Sequence, residues 1–116
     1  METPRHDIEI RRGATFEIGF TYRDPQGAPV NLTGYSGRMQ VRDRIGGRVL
    51  ADASTTNGQM TFVELEGKVK VRIPPSVTKL ITSTEGVYDI LLNAAEDDAV
   101  YLVEGDVKIH QSVTQG

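Results

Sequence analysis

The chain has 116 residues, 38% hydrophobic and 25% charged, with a formal net charge of -3 and no cysteine. This length supports one domain around one core and leaves little room for a deep substrate cavity. The ordinary charged fraction argues against disorder, the missing cysteines exclude disulfides and thiolate metal sites, and the acidic balance gives no field that would draw in nucleic acid or anionic lipid. No apolar run approaches bilayer length, and the polar start from Met1 to His6 lacks the apolar stretch of a secretory signal, so residence in a cytosol is expected.

Ile8 and Ile10 open a period-two alternation, the pattern of a half-buried strand. After Gly13, Phe16, Ile18, Phe20 and Tyr22 point one way, while Glu17, Gly19, Thr21 and Arg23 point the other. Asp24-Pro25-Gln26-Gly27 then fits a type I turn, with Pro second and Gly fourth. Past Gly34, Met39 and Val41 face the core of a third strand whose outer side carries Arg38, Gln40, Arg42 and Arg44. Gly46-Gly47 returns the chain into Arg48–Ala51, and Asn57-Gly58 reads as a second hairpin turn before Met60 and Phe62.

Glu66-Gly67 reverses the chain into Lys68–Ile73, where Val69, Val71 and Ile73 alternate with Lys68, Lys70 and Arg72. Pro74-Pro75 stops that strand because proline cannot donate to a ladder, and the spacing of Val77, Leu80 and Ile81 predicts a short helical turn near residues 76–82. Val87–Ala94 and Ala99–Val113 read as a final hairpin across Glu96-Asp97-Asp98. Seven to eight short strands with frequent turns and no linker predict one all-β domain over 1–116, an antiparallel sandwich or small barrel, with 1–7 and 111–116 as extended arms.

Thr84-Glu85-Gly86-Val87-Tyr88-Asp89-Ile90 follows the helical turn and enters a strand. Its Gly86 and Tyr88 resemble the tyrosine corner of immunoglobulin domains, in which the tyrosine hydroxyl returns to upstream backbone; Ile90 takes the place of the cysteine. The alternative is that Tyr88 is an ordinary core aromatic. The third strand lacks tryptophan, so the architecture alone is expected, an immunoglobulin-like β-sandwich.

Residues 12–45, in particular Arg12-Gly13-Ala14-Thr15-Phe16 and the run from Asp24 to Tyr35, resemble the immunoglobulin-like N-terminal domain of phage baseplate upper proteins and related small virion proteins. Ala14 stands where that family has an acidic residue, and Asn31 where it has an aspartate. Pro25, Gly27, Pro29 and Gly34 fix the path of the connection, and Leu32 plugs the end of the core. The resemblance implies a structural role in a tailed-phage particle, at the tail, baseplate or capsid surface. It implies other virion proteins and copies of the chain itself as partners, production in the host cytoplasm, and no catalytic residue or cofactor.

Catalytic patterns are sparse. His6 and His110 are the only histidines and have no metal-ligand spacing between them. Glu96-Asp97-Asp98 lacks the spaced ligands of a calcium loop, and carboxylates such as Glu64, Glu66 and Asp89 form no distinctive pair. Asn31-Leu32-Thr33 matches a glycosylation sequon that a cytosolic route leaves idle. No enzyme, metal, cofactor, nucleic-acid, membrane or small-molecule role is expected.

Two surface features remain. Arg38, Arg42 and Arg44 form one basic row and Lys68, Lys70 and Arg72 another; each is either a solvated outer face or pairs with acidic residues such as Glu64 and Glu66 or with an acidic protein. The last hairpin is apolar on both faces: Tyr88, Ile90, Leu92, Tyr101 and Val103 are assigned to the core, leaving Val87, Leu91, Val100 and Leu102 outside. That second set is either a docking surface or is covered by the N-terminal segment or the 74–85 connection. A sugar-binding module is the competing function; it needs exposed aromatic rings, for which Tyr22, Tyr35 and Tyr101 are candidates in a chain with no tryptophan.

Overall fold

A computed structural model describes residues 3–94 and 98–114; the centre of the Glu96-Asp97-Asp98 turn and the extreme ends of both proposed arms lie outside the described residues. The strands are β1 (Ile8–Arg11), β2 (Phe16–Thr21), β3 (Ser36–Arg42), β4 (Val49–Ser54), β5 (Met60–Val63), β6 (Lys68–Ile73), β7 (Glu85–Ala94) and β8 (Asp98–His110). A 3-10 turn, Glu64–Glu66, and one short helix, α1 (Pro75–Thr78), complete the chain. Among the described residues no helix is long and apolar enough to cross a membrane.

The strands form a five-stranded sheet in the order β1-β8-β7-β3-β4 and a three-stranded sheet in the order β2-β6-β5. The alternation seen in the sequence sets the register. Phe16, Ile18 and Phe20 of β2 lie opposite Ile73, Val71 and Val69 of β6, and Met39 and Val41 of β3 lie opposite Ile90 and Tyr88 of β7. The inward faces of the two sheets meet in one core that includes Ile10, Met39, Val41, Val69, Val71, Ile73, Ile90 and Leu92, none more than 2% exposed. Each such aliphatic side chain contributes roughly 1.5–3 kcal/mol through removal from water.

The turns follow their residues. Gly27 N–H donates to the Asp24 carbonyl at 2.9 Å, and the Asp24 carboxylate caps Gln26 and Ala28. Gly27 and Gly34 adopt positive φ, as the sharp path between β2 and β3 requires. Leu32 closes that end of the core and is fully buried.

Three expectations change. The sandwich is not wholly antiparallel: β1 pairs in parallel with β8, which seals one edge of the larger sheet. Asn57-Gly58 does not close a hairpin, because β4 and β5 belong to different sheets and the turn carries the chain between them. The expected short helical turn is present as α1, after which Leu80 is exposed and Ile81 is buried. The hairpin of β7 and β8 contains a bulge, with Ile90 opposite Val103 but Leu91 opposite Tyr101. Leu102 is the extra residue.

Candidate functional site

That bulge reassigns the proposed contact residues. An added residue shifts the alternation by one and exchanges the two faces beyond it. Leu102 is therefore only 8% exposed and joins the core, and Val100 packs against the core. Both expected outward assignments are corrected. Tyr101, expected inside, faces solvent at 50% exposure. Val100 and Leu102 line the space between the sheets beneath Thr3–His6, so the N-terminal segment lies on their side.

The remaining residues assemble on the outer face of the larger sheet, where strand register sets them in rows. Tyr101, Leu91 and Arg38 occupy one row; Glu104, Asp89, Gln40 and Asp52 the next; Asp106, Val87 and Arg42 a third. Directly opposed residues share a face, so these side chains are neighbours. A shallow depression of about 310 Å³ lies among Arg38, Arg42, Val87, Asp89, Leu91 and Tyr101, and Ile45, 90% exposed at the β3–β4 turn, forms part of its rim.

The expected basic row is only partly free. Arg38 Nε donates to Asp52 Oδ1 at 3.0 Å, and a second Arg38 nitrogen reaches Oδ2. This pair holds the Asp52 carboxyl below its ordinary pKa, against the opposing effect of burial. Arg42 lies back along its strand, donating to Gln40 Oε1 at 2.9 Å and to the Gly47 carbonyl at 2.7 Å. Arg44 is in the turn and not on the strand face; its side chain is 80% exposed, near Asp43. On the smaller sheet Arg72 meets Glu17 and Lys68 meets Glu66, both at 3.5 Å, so Glu66 takes its expected part.

Asp89 stands out at the centre of the face. Burial raises its pKa first, then the facing Glu104 carboxylate, while Arg42 acts the other way. A like-charged pair directly opposed on adjacent strands is unfavourable in isolation.

Tyr88 is a core side chain at 4% exposure, and its hydroxyl does return to upstream backbone. The acceptor, however, is the His6 carbonyl in the N-terminal segment, not the local connection. Gly86 is buried where an added Cβ would meet the Arg42 carbonyl oxygen at 2.4 Å. His6 stacks edge-on against Phe20, whereas His110 lies 2.9 Å from Glu9 near the other end of β8, so the two histidines do not meet. Among the described residues no group of three His, Asp or Glu side chains is placed to hold a metal ion.

A second, larger groove of about 890 Å³ runs between Thr3–His6, the end of β2 and the start of β8, and includes Phe20, Tyr22 and Tyr101. Tyr35 packs separately against the core.

The strand order defines the class. With β4 added to the sheet of β3, β7 and β8, and with β2, β6 and β5 opposite, the chain is an immunoglobulin-like sandwich with the variable-type extension of one sheet. No family model matches the chain, nor does any curated protein. Solved structures with a similar course include the extracellular domain of the voltage-gated sodium channel beta4 subunit, described as a parallel homodimer, at TM-score 0.47 and 10% identity over 97% of each chain. Another is Drosophila OTK extracellular domains 3-5, at TM-score 0.42 and 13% identity; 96% of this chain is covered but only 33% of that one.

Proposed function

We propose that this chain is a non-enzymatic structural protein of a tailed-phage virion, an assembly module that binds other virion proteins through the outer face of its larger sheet. The observation that carries the reading is the solvent-facing cluster of Val87, Leu91 and Tyr101 beside the protruding Ile45, with charged residues of both signs around it. Apolar side chains gathered on one solvent-facing surface of a sandwich mark a contact surface. The likeness of residues 12–45 to virion proteins supplies the setting: manufacture in the host cytoplasm and residence in the particle, at the tail, baseplate or capsid surface. Mass spectrometry of purified particles is the test. A fixed copy number in particles supports the proposal, and recovery solely from the lysate overturns it.

The shared groove of Tyr22 and Tyr101 favours a second reading, a sugar- or ligand-binding module. A glycan titration followed by tyrosine fluorescence distinguishes it: saturable quenching lost in Tyr22→Ala supports ligand binding.

A further inference from the structure

The Asn57-Gly58 pair carries the chain from β4 in the larger sheet to β5 in the smaller one. The Asn57 side chain closes this crossover. Its Oδ1 accepts from Ser54 N–H and from Gln59 N–H, each at 3.0 Å, while its Nδ2 donates to the Asp52 carbonyl at 2.8 Å. Two converging donors fix the oxygen and one carbonyl fixes the nitrogen, so both ends of the carboxamide are engaged. Ser54 Oγ accepts from Asn57 N–H at 3.1 Å and completes the clasp. Gly58 follows at φ 79°, a conformation that favours glycine.

The crossover therefore uses a dipeptide whose own chemistry works against it. With no side chain on Gly58, nothing shields its backbone nitrogen. Once that nitrogen has given its proton to solvent, it can attack Asn57 Cγ. A bond from Gly58 N to Cγ forms, the Cγ–Nδ2 bond breaks, and the amide nitrogen leaves as ammonia with a proton taken from water. A second water then opens the succinimide ring, leaving aspartate or isoaspartate at position 57. Ring closure moves Cγ and releases Nδ2, so the bonds to Ser54, Gln59 and Asp52 must break first.

We propose that Asn57 is a self-modification site gated by folding: the closed crossover holds its carboxamide unreactive, and a chain whose crossover opens deamidates there. The rate in the folded protein then follows the population of the open crossover. Neither product restores the clasp. Aspartate has no N–H for the Asp52 carbonyl, and isoaspartate adds a methylene to the main chain. Modified molecules close a weaker crossover, so the change marks chains that have opened.

Folded protein and the same protein in urea, incubated side by side in mildly alkaline buffer, test this. Deamidation is followed by mass spectrometry of the tryptic peptide 49–68, in which Asn57 is the only asparagine. With three carboxamide hydrogen bonds to break, the folded protein reacts roughly tenfold to a hundredfold more slowly than the unfolded chain. Ser54→Ala removes one arm of the clasp without touching the reacting atoms. It speeds the folded reaction several-fold and leaves the rate in urea unchanged. Equal rates in the folded protein and in urea would overturn the proposal, and that comparison needs no variant. So would a Ser54→Ala protein with the wild-type circular dichroism spectrum that reacts no faster than wild type.

Discussion

The Tyr88 hydroxyl donates to the backbone carbonyl of His6, 82 residues upstream, and so ties a central strand to the N-terminal segment. Gly105, directly opposite Tyr88 on β8, makes this possible, since an added Cβ would lie 2.4 Å from that same carbonyl oxygen. Tyr88→Phe should cost about 0.5–1.5 kcal/mol. Gly105→Ala should cost more, since backbone and not a flexible side chain must move. In both variants hydrogen exchange is expected to accelerate first in residues 3–7, where His6 N–H donates to the Glu104 carbonyl.

Burial pushes the Tyr88 phenol up to about 12, with Asp7 adding to the shift and Arg5 opposing it. The folded value exceeds the unfolded value of about 10, so the folded state holds this proton more tightly. The associated stability is fully present below about pH 10 and is lost as pH rises from there through about 12. Urea unfolding at neutral pH and at strongly alkaline pH should show a larger loss for the wild type than for Tyr88→Phe.

Asp89 has the other sign of consequence. Its raised pKa means that the folded state disfavours the ionised carboxylate. Stability from this group therefore increases as pH falls through its folded pKa. Asp89→Asn should raise the denaturation midpoint at neutral pH and remove that acid-side gain, as thermal melts of the two proteins across mildly acidic pH would show.

Thr78 is the one fully buried polar side chain among the described residues. Its hydroxyl donates to the Ala14 carbonyl at 2.8 Å and accepts from Gly13 N–H at 3.2 Å, pinning α1 to the turn before β2. Thr78→Val leaves both backbone groups without this partner and should cost about 1–3 kcal/mol. Thr78→Ser keeps the hydroxyl and should recover most of it, measurable by chemical denaturation.

The strands were legible because buried and exposed residues alternate with period two, and the turns at Asp24–Gly27 and Glu66-Gly67 because their residues demand those conformations. The parallel pairing of β1 was hidden, since alternation in Ile8–Arg11 marks a strand but not its neighbour. The bulge had no signal either. Val100-Tyr101-Leu102-Val103 is apolar throughout, so its pattern cannot show where one residue is inserted, and Tyr101 and Leu102 were assigned to each other's faces. Val87, Leu91, Arg38 and Arg42 were readable as outward residues. Ile45 was not, because an apolar residue in a turn carries no periodic mark, and the exposure of Asp89 to Glu104 depends on cross-strand register.

The claim that the chain works by docking through its outer face is tested most directly by Leu91→Glu, which places charge beside Tyr101 on that face without entering the core. The variant is predicted to keep the wild-type circular dichroism spectrum and melting behaviour yet to be missing from purified particles. Incorporation of folded Leu91→Glu at the wild-type copy number would contradict the account.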